Sequence, residues 1–188
     1  MTTQDTTLIP TSTMRILRIV LLSSLATAGP LLATEPAHDS HAAPAKLVQI
    51  VREATRQYID VNAATAAGYG PAFGCVSGPD HGAMGIHYVN GPLVGDGEID
   101  ASHPEALIYE PTGDRRRLVG VEFIVDAQTW LASHNNTPPM LEGQAFQLVG
   151  SPNRYNLPAF FELHVWAWRS NPNGAFVDWN NQVTCERQ

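Results

Sequence analysis

Two histidines lie inside strand-like, mostly apolar runs. His87 belongs to Met84-Gly-Ile-His87-Tyr-Val-Asn90, and His164 to Phe160-Phe-Glu-Leu-His164-Val-Trp-Ala-Trp168. Inward positions of a half-buried strand normally go to Val, Ile or Leu. An imidazole there requires a hydrogen-bond partner, a metal ion or a proton-transfer task. In the second run, alternation puts Phe161, Leu163, Val165 and Ala167 on one side and Glu162, His164, Trp166 and Trp168 on the other. A carboxylate, an imidazole and two indoles together have the composition of a ligand cleft.

Two further glutamates lie near a turn. Glu105-Ala-Leu-Ile-Tyr-Glu-Pro111 and the run from Arg116 to Val125 flank Thr112-Gly113-Asp114. With a loop of two or four residues, Ala106, Ile108, Val119, Val121, Phe123 and Val125 share a core face. Glu105, Leu107, Tyr109, Leu118 and Glu122 then share the other. A three-residue loop would send the two glutamates to opposite sides. Like charges across a ladder persist when solvated, when one is protonated, or when a cation sits between them.

If these segments are neighbours in one sheet, His87, His164, Glu105, Glu122 and Glu162 can converge. Two histidines with a carboxylate suit Zn, or the facial site of Fe(II) and Mn(II), and Cu stays open. There is no compact H-x-H or H-x-x-x-H spacing, so the same histidines also read as hydrogen-bonded core residues. His81 and His103 lie in Gly/Pro-rich loops, as third ligands or as solvated side chains. Asp96, Glu98 and Asp100 alternate without EF-hand spacing, and Ser77 lacks a nucleophile elbow. No phosphate loop or dinucleotide fingerprint occurs.

The elements that position these groups follow from periodicity. Leu47, Val51, Ala54, Tyr58 and Val61 form one apolar stripe and predict a single long helix from Pro44 to about Ala67, stopped by Gly68. Short strands are predicted at about 84–90, 105–110, 116–125, 144–149 and 159–169, with 91–103 and 131–142 as loops. The expected architecture is one α+β domain over 44–188, its long N-terminal helix packed on a mainly antiparallel sheet.

Ahead of it, Arg15, Arg18, the apolar run Ile19–Leu25 and Ala26-Thr27-Ala28 read as a signal peptide over residues 1–28, with Met14 a plausible start. Residues 29–43, including His38 and His41, read as a disordered tail. Export to the periplasm or medium makes the only two cysteines, Cys75 and Cys185, an expected disulfide. The chain is acidic, with formal net charge −7 and Lys46 as its only lysine. That gives no electrostatic footprint for nucleic acid, and the leader's apolar run is too short to span a membrane. Oligomeric state is not encoded in these patterns.

The runs MGIHYVN, PEALIYEP, LVGVEFIV and LHVWAWRSNPNGAFVDWNNQVTC resemble those of a group of exported bacterial proteins of unassigned activity. The resemblance implies export and a compact domain and carries over no ligand or reaction.

The leading expectation is an exported protein with a divalent transition-metal site (Zn, Cu, Fe or Mn) built from His87, His164 and Glu122. Glu105 would be a fourth ligand or nearby base. If it is an enzyme, Glu105 and Glu122 would move protons while the metal activates water or O₂. One alternative is a non-enzymatic binding module whose Trp166, Trp168, Tyr109 and Glu162 receive a sugar or aromatic small molecule. Another is metal-free acid–base catalysis by Glu105 or Glu122 with His164.

Overall fold

The computed structural model describes residues 45–187 other than Pro79. The expected leader, and the tail with His38 and His41, lie outside the described residues. Helix α1 spans Lys46–Thr55 and buries Leu47, Val48 and Val51. It tightens into a 3₁₀ turn at Arg56–Ile59 and stops at Asp60, whose backbone is extended. The Asp60 carboxylate accepts the Asn62 N–H at 3.0 Å and so caps a separate helix α2, Val61–Ala66. The single long helix expected over 44–67 is therefore corrected to two short ones. An aspartate that caps the second interrupts the first. Gly68, at φ +94°, closes α2 as its position predicted.

The chain continues through β1 (Gly70–Gly78), β2 (Gly82–Val89), α3 (Gly91–Asp96), β3 (Ala106–Thr112), β4 (Arg115–Asp126) and α4 (Ala127–Ser133). It then forms β5 (Met140–Leu141), β6 (Gln144–Ala145), β7 (Gln147–Val149) and β8 (Phe160–Val165). A six-stranded antiparallel sheet has the order β1-β2-β3-β4-β8-β7, and β5 pairs only with β6. This is an α+β domain. The expected loop 91–103 opens with α3, and the expected strand 144–149 is split between two sheets.

Register decides what each face carries. β3 and β4 turn through the two residues Gly113 and Asp114, since Thr112 pairs with Arg115. Ile108 then pairs with Gly120 but Tyr109 with Leu118, which leaves Val119 as a bulge. The Val119 carbonyl instead accepts the N–H groups of Trp168 and Arg169, both at 3.0 Å. The expected core face is corrected accordingly. Leu107, Tyr109 and Leu118 join Val121, Phe123 and Val125, while Ala106 and Ile108 go to the opposite side with Gly120 and Glu122.

The first face packs with Leu47, Val48 and Val51 of α1, and with Ile86, Tyr88, Phe161, Leu163 and Val165, in one buried cluster. The second face is closed at one end by the C-terminal segment. Val183 packs there on Ala83, Ile108, Val119 and Trp166. Asn180 bridges Ala83, and a Cβ on Gly82 would lie 2.2 Å from the Asn180 carbonyl oxygen, so only glycine admits that approach. Cys75 and Cys185 form the expected disulfide. Glu110, 3% exposed, accepts the Thr184 N–H at 3.1 Å and pairs with Arg117 at 2.6 Å. Among the described residues no helix is long and apolar enough to cross a membrane.

Candidate functional site

The other end of the second face is polar. Across the sheet, Val89 pairs with Ala106, Ala106 with Glu122, and Glu122 with His164. His87 lies one step along, opposite Ile108, and Glu162 one step the other way, opposite Ile124 and Gln147. Strands lie about 4.8 Å apart, so β2 and β4 are separated by about twice that. The intervening strand presents only the small side chain of Ala106 there, and His87 Nε2 comes to 3.3 Å from Glu122 Oε2. One ligand atom each from His87, Glu122 and His164 lie within 4.8 Å of one another. Glu162, His164 and Asp178 form a second such group.

These side chains are almost fully withdrawn from water: His164 is 1% exposed, Glu122 4%, His87 5% and Glu162 5%. Burial pushes the His87 imidazolium down to about 4. Burial, and then the neighbouring His87, hold His164 well below the ordinary imidazole range. Both rings are therefore neutral near pH 7. Burial first, then Glu162, raise Glu122 well above the usual carboxyl range, and its carboxyl shares a hydrogen bond with Glu162. Burial likewise raises Glu162, to about 7. His87 Nδ1 and both ring nitrogens of His164 have no hydrogen-bond partner among the described residues. Buried polar atoms are nearly always paired. Three unpaired imidazole nitrogens beside protonated carboxyls are what a cation-binding set of residues offers when its charge is balanced by protons instead.

A narrow cavity of about 40 Å³ opens onto His87 and Glu122, walled by Phe73, Val89, Ile124, Tyr155, Leu157 and Phe160. A water needs roughly 10–15 Å³ by this measure, so the space holds a few water-sized groups rather than a sugar ring. Phe73 occupies the β1 bulge between Ala72 and Cys75 at φ +59°, with its ring 5.1 Å from that of Tyr155. Burial, and then Glu122 and Glu162, push the Tyr155 phenol up to about 12, so it stays an O–H and donates to Met84 Sδ at 3.6 Å.

Several expected participants are elsewhere. Because of the bulge, Ala106 and not Glu105 faces Glu122; Glu105 instead caps the end of the β3–β4 ladder, accepting the Ile124 N–H at 3.0 Å. Burial raises its carboxyl to about 8, with Asp96 and Asp100 adding to the rise. It is not brought into the histidine cluster. Nor do Trp166, Trp168, Tyr109 and Glu162 form a cleft. β8 ends at Val165, so alternation fails beyond it. Trp166 is buried against His164 with its Nε1 donating to Val177 O at 2.6 Å. Trp168 packs on the helix-side core and donates to Thr55 Oγ1 at 3.0 Å. Tyr109 is wholly buried there, its O–H on Tyr58 O at 2.6 Å.

His81 is exposed, near Trp179. His103 is an exposed partner of Asp100 at 2.7 Å. Asp96 and Asp100 accept the N–H groups of Glu98 and Ser102 in local turns. The unforeseen members of the site are Asp178 and Tyr155, which lie in irregular segments without periodicity, and Phe73, which sits at the bulge of the unexpected strand β1. Only the acid within Phe176-Val-Asp178-Trp179, an otherwise apolar run, was a usable signal. No protein-family model, curated protein or solved structure matches this chain, and the geometry stands by itself.

Proposed function

We propose that this is an exported metal-site protein in which His87, Glu122 and His164 ligate one divalent transition-metal ion. The observation that carries the reading is the set of unpartnered ring nitrogens on two buried histidines, beside a buried carboxyl. The 3.3 Å between His87 Nε2 and Glu122 Oε2 also supports it. That spacing is long for a hydrogen bond, yet two ligands with bonds of about 2.0–2.1 Å to one tetrahedral ion stand about 3.3 Å apart. Neutral imidazoles and a carboxylate suit Zn, Fe(II), Mn or Cu(II). Such an ion would supply Lewis acidity, and His87 and Glu122, which would hold it, line a cavity where Phe73, Tyr155 and Leu157 leave space only for small molecules.

The disulfide fits an oxidising compartment, periplasmic or extracellular. A second reading is metal-free acid–base chemistry, favoured by the hydrogen bond shared between the Glu122 and Glu162 carboxyls.

Elemental analysis of untagged protein from the periplasm tests both, followed by titration with Zn, Cu, Mn and Fe(II). Bound metal reduced in His87→Ala, abolished in His164→Ala and weakened in Glu122→Gln is the expected result. Binding no tighter than in the His87→Ala/His164→Ala double variant would remove the metal reading and leave the second.

A further inference from the structure

His164 belongs to both clusters of potential ligands, one with His87 and Glu122 and the other with Glu162 and Asp178. It is 1% exposed, and neither ring nitrogen has a hydrogen-bond partner among the described residues. A structural histidine in a core is held by at least one nitrogen; this one is held by neither. Its Nδ1 faces Asp178 Oδ1 at 3.6 Å, beyond hydrogen-bond reach and close to the separation of two ligands on one ion.

Asp178 is itself fixed. Its Oδ1 accepts from Gln147 Nε2 at 2.6 Å, and Gln147 is the residue that pairs with Glu162 across β7 and β8. One β7 residue thus orients the aspartate beside the glutamate, the second-layer support expected around a metal ligand. Access differs too. Asp178 and Gln147 line a hollow with Val177 and Trp179, apart from the cavity over His87 and Glu122. Charge leads the same way. Glu122, Glu162 and Asp178 together carry three negative charges when ionised, more than a single divalent ion neutralises.

We infer that a second divalent cation binds Glu162, Asp178 and Nδ1 of His164, so that the His164 imidazole bridges two ions. This rests on the first-ion reading above. Coordination at both nitrogens displaces the ring N–H proton, which leaves to solvent as the second ion binds. No oxidation or reduction is involved.

The test is titration of the untagged, disulfide-bonded protein with Zn²⁺ and Cu²⁺, with His164→Ala as background. The wild type should take up two ions per chain. Asp178→Asn and Glu162→Gln, which keep size and hydrogen-bond acceptors, should each weaken the second ion by at least about tenfold. The first ion should remain, and His87→Ala should show the converse. With two Cu²⁺ bound, coupling through the bridge should bring the integrated paramagnetic signal well below two spins per chain, and Asp178→Asn should restore one full spin. One ion per chain that His87→Ala removes and Asp178→Asn leaves untouched would overturn the second site while the first stands. A single ion lost equally from His87→Ala and Asp178→Asn would overturn the bridge, the two clusters then sharing one ion. No ion at all would remove both readings.

Discussion

The two faces of the central sheet are built from the same strands but obey different rules. Toward the helices, Val121, Phe123, Leu163 and Val165 meet Leu47 and Val51 in a continuous apolar layer. There the polar groups of Tyr109 and Thr55 are hydrogen-bonded. On the far side, one residue along each strand, His87, Glu122, Glu162 and His164 are as deeply buried and include unpaired nitrogens. Burial without pairing opposes folding. The helix-side face therefore stabilises the domain, and the polar face draws on that stability. Folds violate local rules in this way chiefly where they bind or react.

The largest expected effect concerns how the polar face is closed. Cys75–Cys185 ties the C-terminal segment over it across a sequence separation of 110. On the chain-entropy model a loop of that size contributes up to about 4.7 kcal/mol. Cys75→Ser/Cys185→Ser should lose about 4 kcal/mol in urea unfolding. A loss below about 1 kcal/mol would mean that Val183 and the Asn180–Ala83 bridge hold the segment alone.

Next comes the direct contrast between faces. Phe123→Ala should cost about 3–5 kcal/mol, as a buried aromatic truncation does. His164→Leu, of similar bulk and free of unpaired nitrogens, should leave the metal-free protein within about 1 kcal/mol of wild type or above it. It should also abolish metal uptake. Equal destabilisation by the two substitutions would erase the distinction between the faces and argue for a structural His164.

How much of this contrast was legible in the chain depends on what determines each part. The two histidines stood out because imidazole is foreign to an apolar strand run, and the disulfide because the expectation of export left two cysteines little else to do. The cap at Asp60 went unread, because the apolar stripe runs past it unbroken and periodicity alone carries no sign of the interruption. β1 was hidden by Gly70, Pro71, Gly74 and Gly78, which an edge strand tolerates and a central one does not. The bulge at Val119 was unreadable locally, because its carbonyl is claimed by Trp168 and Arg169 from beyond the end of β8. That single residue reassigned Ala106, Leu107, Ile108 and Tyr109 between faces and removed Glu105 from the site.

Glu105 offers an intermediate effect. Its carboxyl is raised by burial from an ordinary 4.5 to about 8 in the folded protein. Between these values the folded state holds a proton that the unfolded state has lost. Stability must therefore fall as pH rises through that window, by up to about 1.4 kcal/mol per unit, and be fully retained below about 4.5. Glu105→Gln preserves an acceptor for the Ile124 N–H and should flatten this slope, becoming more stable than wild type at pH 8. Urea midpoints at pH 5, 6.5 and 8 would read it. An unchanged slope would place the proton on another buried carboxyl, Glu122 or Glu162, and so on the polar face.

The smallest effect probes the mouth of the cavity. Phe73 is 55% exposed and sits at φ +59°, a left-handed conformation that bulky side chains rarely adopt. It occupies the β1 bulge with its ring against Tyr155, directly over the cavity above His87 and Glu122. Little area is buried to offset the strain, so the conformation is held by the bulge and the ring contact. Phe73→Ala keeps the strain and loses a contact of about 0.5–1.5 kcal/mol. Phe73→Gly loses the same contact but relieves a left-handed penalty of about 1–2 kcal/mol, set against a greater unfolded-state entropy of about 0.4–1 kcal/mol. Glycine should therefore be more stable than alanine here by about 1 kcal/mol, the reverse of the ordinary order within a strand. Both variants widen the mouth and should speed metal uptake without changing its stoichiometry. Alanine as stable as glycine would show that the backbone at this bulge relaxes out of the left-handed region once the ring is gone. The aromatic contact, not the strand register, would then be what holds the cavity's entrance in shape.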